Sequence, residues 1–68
     1  MSKGILTARE REVFELLILN TSTKEISTYL GISEKTVRNH ISNVMQKMNV
    51  KGRSGAIIEL LKLGEINL

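Results

Sequence analysis

Residues 33–46, SEKTVRNHISNVMQ, constrain the fold more than any other part of this chain. Val37, Ile41, Val44, Met45 and Met48 recur at helical spacing and form one apolar stripe. The opposite side carries Lys35, Thr36, Arg38, Asn39, Ser42, Asn43 and Gln46, with no carboxylate among them. Ser33 is placed to cap the first turn, and Glu34 sits at its positive end. The pattern demands a helix with one face buried on neighbouring elements and one face in solvent.

The wet face has a chemical character. Residues 35–58 contain no acid, whereas Lys35, Arg38, Lys47, Lys51 and Arg53 are all basic. Five of the seven acids (Glu10, Glu12, Glu15, Glu25 and Glu34) lie before position 35, so the net charge of +3 is concentrated in the second half. Lysine and arginine can reach guanine O6 and N7, and asparagine and glutamine can pair with adenine N6 and N7. A charge run is ordinarily a solvated surface. Here it coincides with a whole amphipathic helix, which fits a double-stranded DNA groove better.

Sixty-eight residues make one domain, expected over 1–68 with a core from about 6 to 64. A chain this short buries only about 60% of its unfolded surface. It has no cysteine and one histidine, so neither disulfides nor a zinc site can add stability, and oligomerisation is a plausible stabiliser. No apolar run approaches the ~18 residues of a membrane span, and the first ten residues lack a signal-peptide core. The expected location is the cytoplasm, without membrane contact.

The remaining elements follow from caps and spacing. Residues 1–6 are an expected frayed lead, with Ile5 and Leu6 able to tuck onto the core. Thr7 and Glu10 form a capping box that opens a first helix reaching about residue 19. Val13, Leu16 and Leu17, with Phe14 at the edge, form its buried stripe, while Arg9, Glu12 and Glu15 face outward. Asn20 and Thr21 break the chain. Ser22 and Glu25 form a second box, opening a short helix through Leu30 with Ile26, Tyr29 and Leu30 inward. Gly31 suits a left-handed helix end, and Asn49 can do the same after a third helix ending near Met48. A fourth helix starts at Arg53 or Ser54 and ends near Leu63, before Gly64. The expected fold class is all-α, a compact four-helix domain. Its second and third helices are joined by Gly31, Ile32 and Ser33, the tight connection of a helix-turn-helix.

The strings LTAREREVFELL, TKEIS, ISEKTVRNHISN, MQK and VKGRS, in register along the chain, resemble the LuxR-type, or GerE-type, helix-turn-helix domains. The resemblance covers residues 6 to about 63. Among family members it is most similar to small stand-alone regulators of late spore-coat genes. Departures are few. Asn49 stands where glycine is usual, Ser27 replaces a small alanine, and Asn20 and Thr21 occupy a loop that often carries glycine. Ser27 can bond back to a carbonyl one turn earlier.

The resemblance implies roles. The third helix would be the recognition helix, with Lys35, Arg38, Asn39 and Ser42 at base edges, and Arg38 reaching from the side of the polar face. Thr23, Lys24, Thr36, His40, Lys47 and Lys51 would meet phosphates, which position the protein without specifying sequence. A homodimer would form through the fourth helix with Ser54, Ile58, Leu61 and Lys62. The apolar face of that helix, Ala56, Ile57, Leu60 and Leu61, leaves Ile58 outside. RNA polymerase is a candidate further partner. Arg53 is expected to pair with a first-helix carboxylate, Glu10, in preference to DNA, and Met45 and Met48 are expected core filler.

His40 has no companions for metal binding, and no nucleophile or orienting acid for catalysis. No cofactor is implied, and no nucleophile–base pair or phosphate loop suggests an enzyme. Two alternatives stand beside the regulator. One is an excised output domain of a two-component response regulator or a quorum-sensing regulator, although Met1 and Leu68 agree with a complete small protein. The other is a protein-interaction module pairing with another regulator, which would not need Lys35, Arg38, Asn39 and Ser42 on one face.

Overall fold

The computed structural model describes residues 4–67, so part of the expected frayed lead, residues 1–3, lies outside the described residues. Four helices follow in order: α1, Ala8–Leu17; α2, Thr23–Leu30; α3, Glu34–Met48; and α4, Arg53–Lys62. Three start on side-chain caps. Thr7 and Glu10 close one reciprocal capping box, Ser22 and Glu25 a second, and Ser33 accepts from the Thr36 amide. Each arrangement satisfies helix-end amides that would otherwise lack partners.

The helix ends share one device. Asn20, Gly31, Asn49 and Gly64 all have positive φ, between 56° and 73°. The amide after each returns to the carbonyl five residues back: Thr21 to Leu16 at 3.3 Å, Ile32 to Ser27 at 3.0 Å, Val50 to Met45 at 3.0 Å and Glu65 to Leu60 at 2.9 Å. This is the left-handed stop that glycine and asparagine tolerate best. It reverses the chain within one turn, and it directs Ile32, Val50 and Ile66 back onto the core. Ser27 does bond back, donating to the Lys24 carbonyl at 2.8 Å.

Val13, Phe14, Ile26, Val37, Val44, Ala56 and Leu60 are fully buried, and Leu6, Ile41 and Ile66 nearly so. α3 packs on α1, α2 and α4, so its stripe is the centre of the core. The packing corrects several expectations. α1 stops at Leu17, with the next residues drawn into a tight turn by bonds from Leu19 to Leu16 and from Asn20 to Leu17. Phe14 is central rather than peripheral, and Leu16 and Leu17 are partly buried around it. Tyr29, expected inward, is 77% exposed, because the eight-residue α2 reaches the core through Ile26. The core also continues past residue 64, where Ile66 is 2% and Glu65 5% exposed. Arg11 holds that tail, donating to the Glu65 carbonyl and meeting its carboxylate at 2.9 Å.

Candidate nucleic-acid interface

The α2–α3 connection places α3 against α2 by its buried side and leaves its other side free. Val37 and Val44 are fully buried and Ile41 is 3% exposed. The helix therefore cannot rotate without withdrawing this row, and its outward row is fixed. Lys35, Arg38, Asn39 and Ser42 are all exposed on it. Asn43 and Gln46 are also exposed on α3 and add two amides that the expected base-contact set omits. The signal for them was the same helical spacing.

The expected phosphate contacts divide. Lys24 and Lys51 are exposed, and Thr23, Thr36 and His40 are partly buried at the edges of the helices. Thr36 Oγ1 accepts from Ser33 Oγ at 2.9 Å, which fixes its position beside the α3 cap. Lys47 is different. Its ammonium meets Glu10 Oε1 at 2.5 Å and donates to the Ile5 carbonyl at 3.1 Å. The structure gives this cation an internal partner, while its side chain stays about a third exposed. It also corrects Arg53, which is exposed at the start of α4 while Lys47 takes the Glu10 carboxylate.

Glu10 is a carboxylate with 3% exposure. Burial raises its pKa. The hydrogen bond from Lys47, the Thr7 amide and the charges of Lys47 and His40 outweigh that, and they hold it below the ordinary carboxylate range. Glu25 is lowered too, by the Ser22 amide and hydroxyl in its capping box. Glu10 therefore serves as anion, helix cap and anchor for α3 at once. Along α4, Ile58 is 53% exposed, with Ser54 and Lys62 also exposed and Leu61 partly buried. Among the described residues no group of three or more metal-ligating side chains comes together, and no helix is long and apolar enough to cross a membrane.

A short α2 joined by a glycine turn to a longer α3, buried on one side and rich in cations and amides on the other, defines a helix-turn-helix DNA-binding domain. The chain belongs to the luxR family of bacterial regulatory proteins, whose family model matches residues 4–60. It is 67% identical over 67 residues to the spore germination protein GerE of Bacillus subtilis, covering 98% of this chain and 90% of that protein. A solved structure of the transcription factor GerE superposes with a TM-score of 0.91 at 65% identity, covering 93% of this chain and 94% of that one. The transcriptional regulatory protein DegU of Brevibacillus brevis is 48% identical over 94% of this chain, which spans 27% of that longer protein. The protein is a DNA-binding transcription regulator and not an enzyme.

Proposed function

We propose that the protein reads a specific DNA sequence as a homodimer and regulates late sporulation genes, those of the spore coat. The observation that carries the reading is the fixed phase of α3: Val37, Ile41 and Val44 are buried, while Lys35, Arg38, Asn39 and Ser42 stand in solvent. In the major groove, Arg38 and Lys35 suit guanine edges, Asn39 suits adenine, and Ser42 suits either. Thr23 and Lys24 sit at the start of α2, where helix-end amides favour a phosphate. Thr36, His40 and Lys51 supply further backbone contacts. A protein-interaction module has no need of this outward row on α3.

The dimer reading rests on α4. Ser54, Ile58 and Lys62 are exposed on one side of this helix, away from the buried Ala56 and Leu60, and the partly buried Leu61 borders them. Two-fold pairing of α4 would set two recognition helices at a fixed separation for a symmetric site. The late-sporulation reading rests on the likeness to the spore germination protein GerE across nearly its whole length. The protein would act in the cytoplasm, where DNA and RNA polymerase are met.

Selection of bound fragments from genomic DNA, followed by competition titration against scrambled duplexes, tests the reading. A recurrent symmetric motif upstream of spore-coat genes, bound with steep salt dependence, is the expected result. Equal affinity for motif and scrambled duplex would overturn sequence-specific reading.

A further inference from the structure

An open groove of about 340 Å³ runs between α1 and α2, lined by Glu12, Glu15, Leu16, Leu19, Tyr29 and Leu30. None of these residues belongs to the outward row of α3 or to the α4 stripe. The apolar part of the groove is costly to leave in water: Leu19 is 71% and Tyr29 77% exposed. Tyr29 is the chain's single tyrosine, a rigid amphipathic ring of the kind that anchors protein interfaces. The core does not use it, since Val13 and Phe14 fill the other side of α1 and Ile26 the inner side of α2.

The charge of the groove is opposite to that of the molecule. Glu12 and Glu15 stand on its rim in a chain of net charge +3. Neither α1 nor α2 has a basic residue in its last turn to face the partial negative charge of the helix end. Arg9 meets Glu12 at 3.1 Å, but both side chains are about half exposed, and solvent screens such a pair. Glu15 has no ion pair among the described residues. The lining offers no cation to a nucleic-acid phosphate.

We propose that this groove docks a cationic amphipathic helix of a protein partner. Apolar anchors of that helix, spaced three and four residues apart, would cover Leu16, Leu19, Tyr29 and Leu30, and its lysines or arginines would face Glu12 and Glu15. Charge complementarity selects this occupant, and the proposal stands whatever sequence α3 reads. A second copy offering its basic α3 would enter head to tail, through a heterologous contact.

The test is an NMR titration of the isotopically labelled full chain with two synthetic helical peptides of about 14 residues, roughly four turns. Both carry the same leucine anchors. One is flanked by lysine and arginine, the other by glutamate. The cationic peptide should give saturable shifts along Glu12, Glu15, Leu16, Leu19, Tyr29 and Leu30, and the acidic one none. Glu15→Lys combined with Tyr29→Ala should weaken that binding by about tenfold or more, the loss of one anchor, and Tyr29→Ala alone, which leaves the charge intact, should keep its affinity for duplex DNA. Leu19→Ser, at a highly exposed position, should also weaken it and provides an independent variant. No saturable shift, equal response to both peptides, shifts centred on α3 or α4, or unaltered affinity in the variants would overturn the proposal. So would concentration-dependent self-association that the same substitutions abolish.

Discussion

Lys47 on α3 reaches across to Glu10 on α1 and holds its carboxylate at 2.5 Å, between residues 37 apart in sequence. The same ammonium donates to the Ile5 carbonyl, and the same carboxylate accepts from the Thr7 amide at 3.0 Å. One ion pair thus ties the lead segment, the first turn of α1 and the underside of α3 together. The position of the outward row on α3 thus rests on this contact as well as on the apolar stripe.

Lys47→Met should therefore destabilise the fold. It leaves a carboxylate of 3% exposure without its counter-charge. A buried group stripped of its partner costs about 1–3 kcal/mol, and the partial exposure of Lys47 places the loss toward the lower end. Urea denaturation measures it. Salt dependence of DNA binding, measured on the folded variant, should keep the parental slope. A slope smaller by about one unit would show that Lys47 contacts phosphate as well as Glu10.

The same pair sets an acid limit. Glu10 titrates below the ordinary glutamate range in the folded protein, because Lys47, Thr7 and His40 together outweigh burial. A depressed folded value means that the unfolded chain binds the proton first. The stabilisation is complete above the unfolded carboxylate value, about 4.3, and is lost as pH falls through the folded one. Denaturation midpoints of the parent should drop below that pH more steeply than those of Glu10→Gln. Parallel curves would show that Glu10 contributes nothing to the acid transition.

Asn39→Ala should relax sequence preference with little effect on general affinity. Asn39 is exposed on α3 between the buried Val37 and Ile41, so its removal leaves the packing intact. A bidentate amide–adenine contact is worth about 1–3 kcal/mol of discrimination. Competition between the selected site and a scrambled duplex measures it, and equal losses on both would remove Asn39 from base reading.

The local signals in the chain were the readable ones. Thr7 with Glu10, Ser22 with Glu25, and the stops at Gly31 and Asn49 all act within one turn, so their residue types were enough to place them. The phase of α3 was readable because Val37, Ile41 and Val44 leave only one face to bury. Tyr29 is exposed for a reason that spacing does not carry. In a helix of eight residues, Ile26 with Leu30 beside it sets the inward direction, and spacing does not say how far round the core extends. The partner of Glu10 was not readable either. Arg53 and Lys47 are both cations, and only the packing of α1 on α3 brings Lys47 within reach. The base-reading and dimer roles rest on the family pattern and on exposure.

Ile66 was invisible to periodicity because it follows the Gly64 stop. It is 2% exposed and belongs to the core. Ile66→Ala should cost roughly 2–5 kcal/mol, the range for a large-to-small core change. Loss of the Arg11–Glu65 contact in the same tail should add to it less than additively, since neighbouring contacts couple. Thermal denaturation of Ile66→Ala, Arg11→Met and the double variant measures both effects. A parental midpoint for Ile66→Ala would place the tail outside the cooperative unit.

Ile58→Glu should separate folding from dimer formation. Ile58 is 53% exposed on α4, whereas Ala56 and Leu60 on the same helix are fully buried. A charge at position 58 therefore meets solvent in the monomer and leaves its core alone. Across a two-fold α4 contact it would meet its own copy, and two carboxylates there repel and resist desolvation. The denaturation midpoint should stay close to the parent's. A duplex with two half-sites should lose cooperative binding, while a duplex with one should be bound as before. Unchanged cooperativity together with unchanged sedimentation would move the dimer contact away from Ile58.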